Sequence, residues 1–90
     1  MMKNFYTRRE KSRIEWACRR GMLELDIIIT SFFENCFDEL TQNEKRSFAT
    51  LLEYSDPVLF SWIIGYSRSK NLEHALLVDK IISYNLNQGY

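Results

Sequence analysis

Proline and glycine are scarce here: one proline and three glycines in ninety residues. A many-stranded β fold needs more turn residues than that, so the bias is towards helices. Cysteine is scarce as well. Cys18 and Cys36 stand without a Cys-x-x-Cys pair, and the single histidine, His74, has no metal-ligand partner at a suitable spacing. That pattern excludes a disulfide framework and gives no metal motif; two reduced core thiols in a reducing compartment are expected. Long apolar runs are missing too. The longest, residues 58–66, is interrupted by Ser61 and Gly65, well short of the ~20 apolar residues that span a bilayer. With no apolar leader at the N-terminus, a cytoplasmic protein without membrane insertion is expected.

What the chain does have is a 46% apolar and 14% aromatic composition, which argues against disorder and for one modest core. Its net charge is zero, yet the charges are segregated. Residues 1–20 carry Lys3, Arg8, Arg9, Lys11, Arg13, Arg19 and Arg20 against Glu10 and Glu15, a balance of +5. Residues 21–60 set Lys45 and Arg46 against eight carboxylates, a balance of −6. Such polarity either steers a partner or lets the first two segments neutralise each other within the fold.

Five helices can be read, giving an all-α, compact five-helix bundle in a single domain over residues 1–90, ordered from about 9 to 86 with frayed ends. The first runs from about residue 9 to 20, with Ile14, Ala17 and Cys18 inward at i, i+3, i+4. The second runs from about 22 to 37 or 40 and presents a wide apolar face of Met22, Leu25, Ile28, Ile29, Phe32, Phe33 and Cys36, widened by Ile27 and Phe37. Thr41-Gln42-Asn43-Glu44 is a capping box that starts the third, which carries Phe48, Leu51 and Leu52 inward and stops near 54 or 55. Asp56-Pro57 reads as an N-cap with proline at the first helical position of a short fourth helix that presents Leu59, Trp62 and Ile63 and ends at Gly65. Asn71 caps the fifth, whose Ala75, Val78, Ile82 and Leu86 share a face.

Catalysis needs converging groups with tuned pKa values, and no such set can be assembled from these residues. There is no phosphate loop, and His74 reads as a surface or packed histidine. The chain is therefore expected not to be an enzyme. Binding is better supported. Arg9, Arg13, Trp16 and Arg20 lie on one helical stripe, and tryptophan and arginine are the residue types enriched at interface hot spots. The stripe runs into Gly21. Glycine inside a helical pattern costs about 1 kcal/mol against alanine, so it marks a helix end, or a place where another backbone comes close. Glu24 follows Arg20 by four residues, the spacing of an exposed ion pair.

The run Trp16-Ala17-Cys18-Arg19-Arg20-Gly21-Met22-Leu23-Glu24-Leu25-Asp26 closely resembles the small bacterial succinate dehydrogenase assembly factors, the SdhE family, whose Arg-Gly-x-x-Glu signature is met by Arg20, Gly21 and Glu24. Leu51-Leu52-Glu53, Asp56-Pro57, Leu59-Phe60 and Trp62 extend the resemblance, which covers about residues 12–62 well and the last helix loosely. It implies a five-helix fold and a chaperone-like role: binding the flavoprotein subunit of succinate dehydrogenase, often that of fumarate reductase as well, and promoting covalent FAD attachment to a histidine of that subunit. The FAD belongs to the partner, and no cofactor stably bound by this chain is implied. The resemblance makes Arg20, Gly21 and Glu24 the leading partner contacts, with Arg20 reaching into the client near its flavin or dicarboxylate site. Trp16, Arg13, Arg19 and Asp26 form the second rank. A monomer is expected. Two rival readings are a nucleic-acid-binding module on the basic first helix and an antitoxin-type regulatory protein. The acidic middle of the chain argues against the first, and the second rests on the family's other description alone.

Overall fold

The computed structural model describes residues 8–87; of the fraying expected for residues 1–6 and 87–90, all but Asn87 lies outside them. The described chain forms α1 (Arg8–Ala17), α2 (Leu23–Cys36) with a 3-10 turn at Phe37–Glu39, α3 (Gln42–Leu51), α4 (Asp56–Ile63) and α5 (Leu72–Leu86). The expected all-α five-helix bundle is what forms. Its radius of gyration is 12.6 Å, and α5 packs against α2, α3 and α4.

Local signals set most boundaries. Thr41 accepts the Glu44 N–H at 3.1 Å while Glu44 accepts the Thr41 N–H at 2.9 Å, so the capping box closes in both directions. Asn71 accepts the His74 N–H and starts α5. Gly65, at φ 80°, follows α4. The N–H of Tyr66 reaches Ser61 O at 2.9 Å and that of Gly65 reaches Trp62 O at 3.3 Å, the paired bonds of a Schellman ending.

The core is aromatic. Phe48 of α3 is fully buried and lies 5.8 Å from the Phe32 ring, 5.9 Å from Phe37 and 6.3 Å from Phe33. Tyr84 of α5 meets Phe32 edge-on at 5.9 Å. Lys45 is buried with its ammonium 5.4 Å from the Phe37 ring centroid, so its stem packs while its charge faces a π surface.

Four expectations need correcting. The first helix stops at Ala17, three residues early, and Ala17 is exposed; the following residues are drawn into contacts with α2 and the α3–α4 turn. The third stops at Leu51. At the start of α4 the N-cap position falls on Ser55, with Asp56 already helical, because the Asp56 carboxylate bonds elsewhere. Ile27 and Leu86 are exposed, while Leu77 and Ile81 complete the α5 core face. The charge segregation is in part neutralised internally: Lys11 pairs with Asp38, Arg19 with Asp26 and Arg20 with Asp56.

Candidate functional site

The loop between α1 and α2, residues 18–22, is where the sequence motif sits. Its first residue, Cys18, is wholly buried and anchors the loop in the core. Burial pushes its thiol up to about 12, with the Glu15 carboxylate adding to the shift. Since the thiolate is the reactive form, native Cys18 should resist a disulfide reagent such as DTNB at pH near 8 and react only on unfolding. Thiol release in buffer and in urea measures this; rapid loss of both native thiols would contradict the placement.

Arg20 then turns inward, and its side chain is only 11% exposed. One guanidinium nitrogen, Nη1, donates to Ala17 O and to Leu52 O, both at 2.9 Å, and Nη2 donates to Tyr54 O at 2.6 Å. Ala17 ends α1 and Leu52 caps α3, so the cation meets carbonyls that helix ends leave without intrahelical partners. Nε donates to Asp56 Oδ1 at 2.7 Å. The other Asp56 oxygen accepts the Met22 N–H at 3.0 Å. On the far side of the loop, the Arg20 backbone N–H donates to Asp26 Oδ1 at 2.8 Å. Arg20 is thus bonded to Asp56 rather than to Glu24.

The Arg20 guanidinium first, then the Met22 N–H, hold the Asp56 carboxyl below its usual value of 3.8. A depressed folded-state pKa means that unfolding takes up a proton in the window below 3.8. The stability this group contributes is therefore complete above that value and lost as pH falls through the lower, folded pKa. Glu44, hydrogen-bonded by Lys80, and Asp79, by Arg68, shift in the same direction. Melting temperature should hold from about pH 7 to 5 and drop below about pH 4, more shallowly in Asp56→Asn. An identical acid slope in that variant would contradict the assignment.

Gly21 is exposed, with φ outside the left-handed region. A Cβ built there would meet only Asp56 Oδ2, at an ordinary 3.6 Å. The helix C-cap reading of this glycine is thereby excluded: neither backbone conformation nor internal crowding requires glycine here. Glu24 is exposed on the first turn of α2. Trp16 is 76% exposed rather than tucked into the core, and Arg13 and Arg19 are exposed beside it in sequence. Trp16 and Arg19 line an open cleft of about 310 Å³ between α1 and α2 with Ser12, Glu15, Thr30 and Glu34. Of the candidate residues, then, Arg13, Trp16, Arg19, Gly21 and Glu24 face outward, while Arg20 and Asp26 turn inward to hold the loop.

Two features escaped the sequence reading. Leu23 and Ile27, one turn apart on α2, are 67% and 58% exposed next to Glu24; periodicity counted Ile27 as core. Asp56 read only as a helix start, though its place in the family-like Asp56-Pro57 pair was a signal. His74 is buried, 6% exposed. Thr50 donates its hydroxyl proton to Ser47 O, so His74 Nε2, 2.8 Å from Thr50 Oγ1, is assigned as the ring N–H donor. This histidine is a packed one.

Comparison with known proteins places the chain. Residues 12–85 match the family model described as flavinator of succinate dehydrogenase. The chain belongs to that family. Among its relatives, the FAD assembly factor SdhE of Vibrio vulnificus is 58% identical over 83 residues, covering 92% of this chain and 96% of that one. The SdhE of Yersinia pseudotuberculosis is 48% identical over 79 residues, covering 88% and 90%. The solution structure of a UPF0350 protein, 55% identical, superimposes with a TM-score of 0.80 over 93% of this chain and 89% of its own. For this member of the flavinator family, no described helix is long and apolar enough to cross a membrane.

Proposed function

We propose that this chain is an assembly factor that binds the flavoprotein subunit of succinate dehydrogenase and promotes covalent attachment of FAD to it. The reading is carried by one observation: an exposed glycine that nothing inside the fold requires, in a chain matched to the flavinator family over residues 12–85. A glycine without an internal reason is explained by an external one, the close approach of a partner backbone. Around it stand side chains suited to docking: Trp16 and the arginines Arg13 and Arg19 on one side, Glu24 with the apolar Leu23 and Ile27 on the other. An ordinary interface takes about 800 Å² per partner, against a total surface of 6092 Å², so one face of this molecule suffices.

The attacking imidazole and the flavin belong to the client. This chain acts by positioning: held by the factor, the client's flavin-binding and capping regions bring histidine and cofactor together. Fixing two reacting groups in an attack geometry removes several kcal/mol from a barrier without the scaffold reacting. The factor keeps no FAD of its own, works as a monomer in the cytoplasm, and takes the related fumarate reductase flavoprotein as a second client.

The test is in-gel flavin fluorescence of the dehydrogenase subunit, made in cells with and without this gene. The reading expects a strong covalent flavin band only with the gene. Equal bands under respiratory growth overturn it, and the same comparison on the fumarate reductase subunit decides the second client.

A further inference from the structure

We infer that Asp56 is a positioning residue of the docking surface: together with Arg20 it forms a part-buried clamp that presets the 18–22 loop, so that Arg20 acts on the partner through the loop rather than by touching it. The inference rests on the proposed function for its partner and on the clamp's own geometry for its mechanism. Four of the five N–H donors of the Arg20 side chain already have internal acceptors: Nε on Asp56, Nη1 on Ala17 and Leu52, and one hydrogen of Nη2 on Tyr54. To reach a client, the guanidinium would have to leave four acceptors and its 11% exposed berth, stranding helix-end carbonyls and the Asp56 carboxylate.

Asp56 links three parts of the chain. It is the first residue of α4, it holds the arginine that ties the ends of α1 and α3, and its second oxygen takes the Met22 N–H just after Gly21. Asp26 completes the arrangement from α2 by accepting the Arg20 N–H. With residues 20 and 22 each pinned through a backbone N–H, Gly21 between them has one presentation to the outside. A partner that recognises that presentation binds more weakly in proportion to the time the loop spends elsewhere.

Asparagine at 56 keeps the shape but offers one acceptor where the carboxylate uses two, so either Arg20 Nε–H or Met22 N–H loses its partner. Factor-dependent flavinylation of the purified apo flavoprotein subunit is measured against factor concentration for Asp56→Asn, Arg20→Gln and the double variant, each checked for a cooperative melt. The expected result is a half-saturating concentration raised about tenfold in each single variant, with the plateau unchanged. In the double variant the loss stays near tenfold, because two parts of one clamp are not additive. An additive loss of about a hundredfold, or an Arg20→Gln loss far exceeding that of Asp56→Asn, would mean that Arg20 meets the client directly and would overturn the inference.

If the variants do not fold, amide exchange in the unaltered chain decides. The Arg20 and Met22 N–H groups must already be protected before any partner is added, and unprotected amides there overturn the clamp. Should the unaltered chain fail to promote flavinylation at all, the functional reading falls, while the exchange measurement still judges the clamp.

Discussion

A Gly21→Arg chain is expected to fold and melt like its parent and yet fail to support covalent FAD attachment. The fold tolerates the change because position 21 is exposed, its φ lies outside the left-handed region, and the nearest atom to a new Cβ is Asp56 Oδ2 at 3.6 Å. The partner does not tolerate it. Where two backbones approach across a glycine, a long cationic side chain holds the surfaces apart and leaves desolvated groups unpaired on both sides. A loss of about a hundredfold in affinity, roughly 2.7 kcal/mol, is the scale expected. Flavin fluorescence of the client and far-UV circular dichroism of the factor, measured on the same variant, check it. Normal flavinylation would remove the close approach at Gly21 from the mechanism; a collapsed melting transition would make the glycine structural instead.

Phe48→Ala should instead strike the fold and strongly destabilise the chain. Phe48 is fully buried, and its ring stands within 6.3 Å of those of Phe32, Phe33 and Phe37. Removing a ring from such a site costs about 3–5 kcal/mol, because the neighbours collapse only in part into the cavity. Set against total stabilities of about 5–15 kcal/mol, that is a large fraction for a chain with one small core. A melting temperature lower by roughly 12 °C or more is expected, read by urea and thermal unfolding. A drop of only a few degrees would mean that the aromatic cluster is looser than these ring distances describe. The two substitutions separate docking from folding, since one surface residue and one core residue fail by different readouts.

How much of this was legible depends on the range of the interaction. The Thr41–Glu44 box and the Asn71 cap involve residues three apart, so their chemistry stands in the sequence itself. Gly65 marked the end of α4 for the same reason. The apolar positions of α2 and α3 were also legible, because helical spacing decides which side chains share a face. Ile27 was misread: periodicity defines a wide apolar face but not how much of it the neighbouring helices cover. The end of α1 was misread because Arg20 continued a helical stripe on paper, while its side chain bonds to residues 32 to 36 positions away.

The same distinction runs through the candidate site. Residue types and spacing alone determined an all-α chain with a glycine-marked corner, and the resemblance they carry pointed to the flavinator family. Which members of that corner face outward was decided only by tertiary structure. Arg20 and Glu24, four apart, look like a pair on a helix surface, but a carboxylate 36 residues later turns Arg20 into the fold and leaves Glu24 and Gly21 outside. Local rules act over one turn of helix. A largely buried cation, which must find charge and carbonyl oxygens wherever the packed chain brings them, answers to the whole molecule.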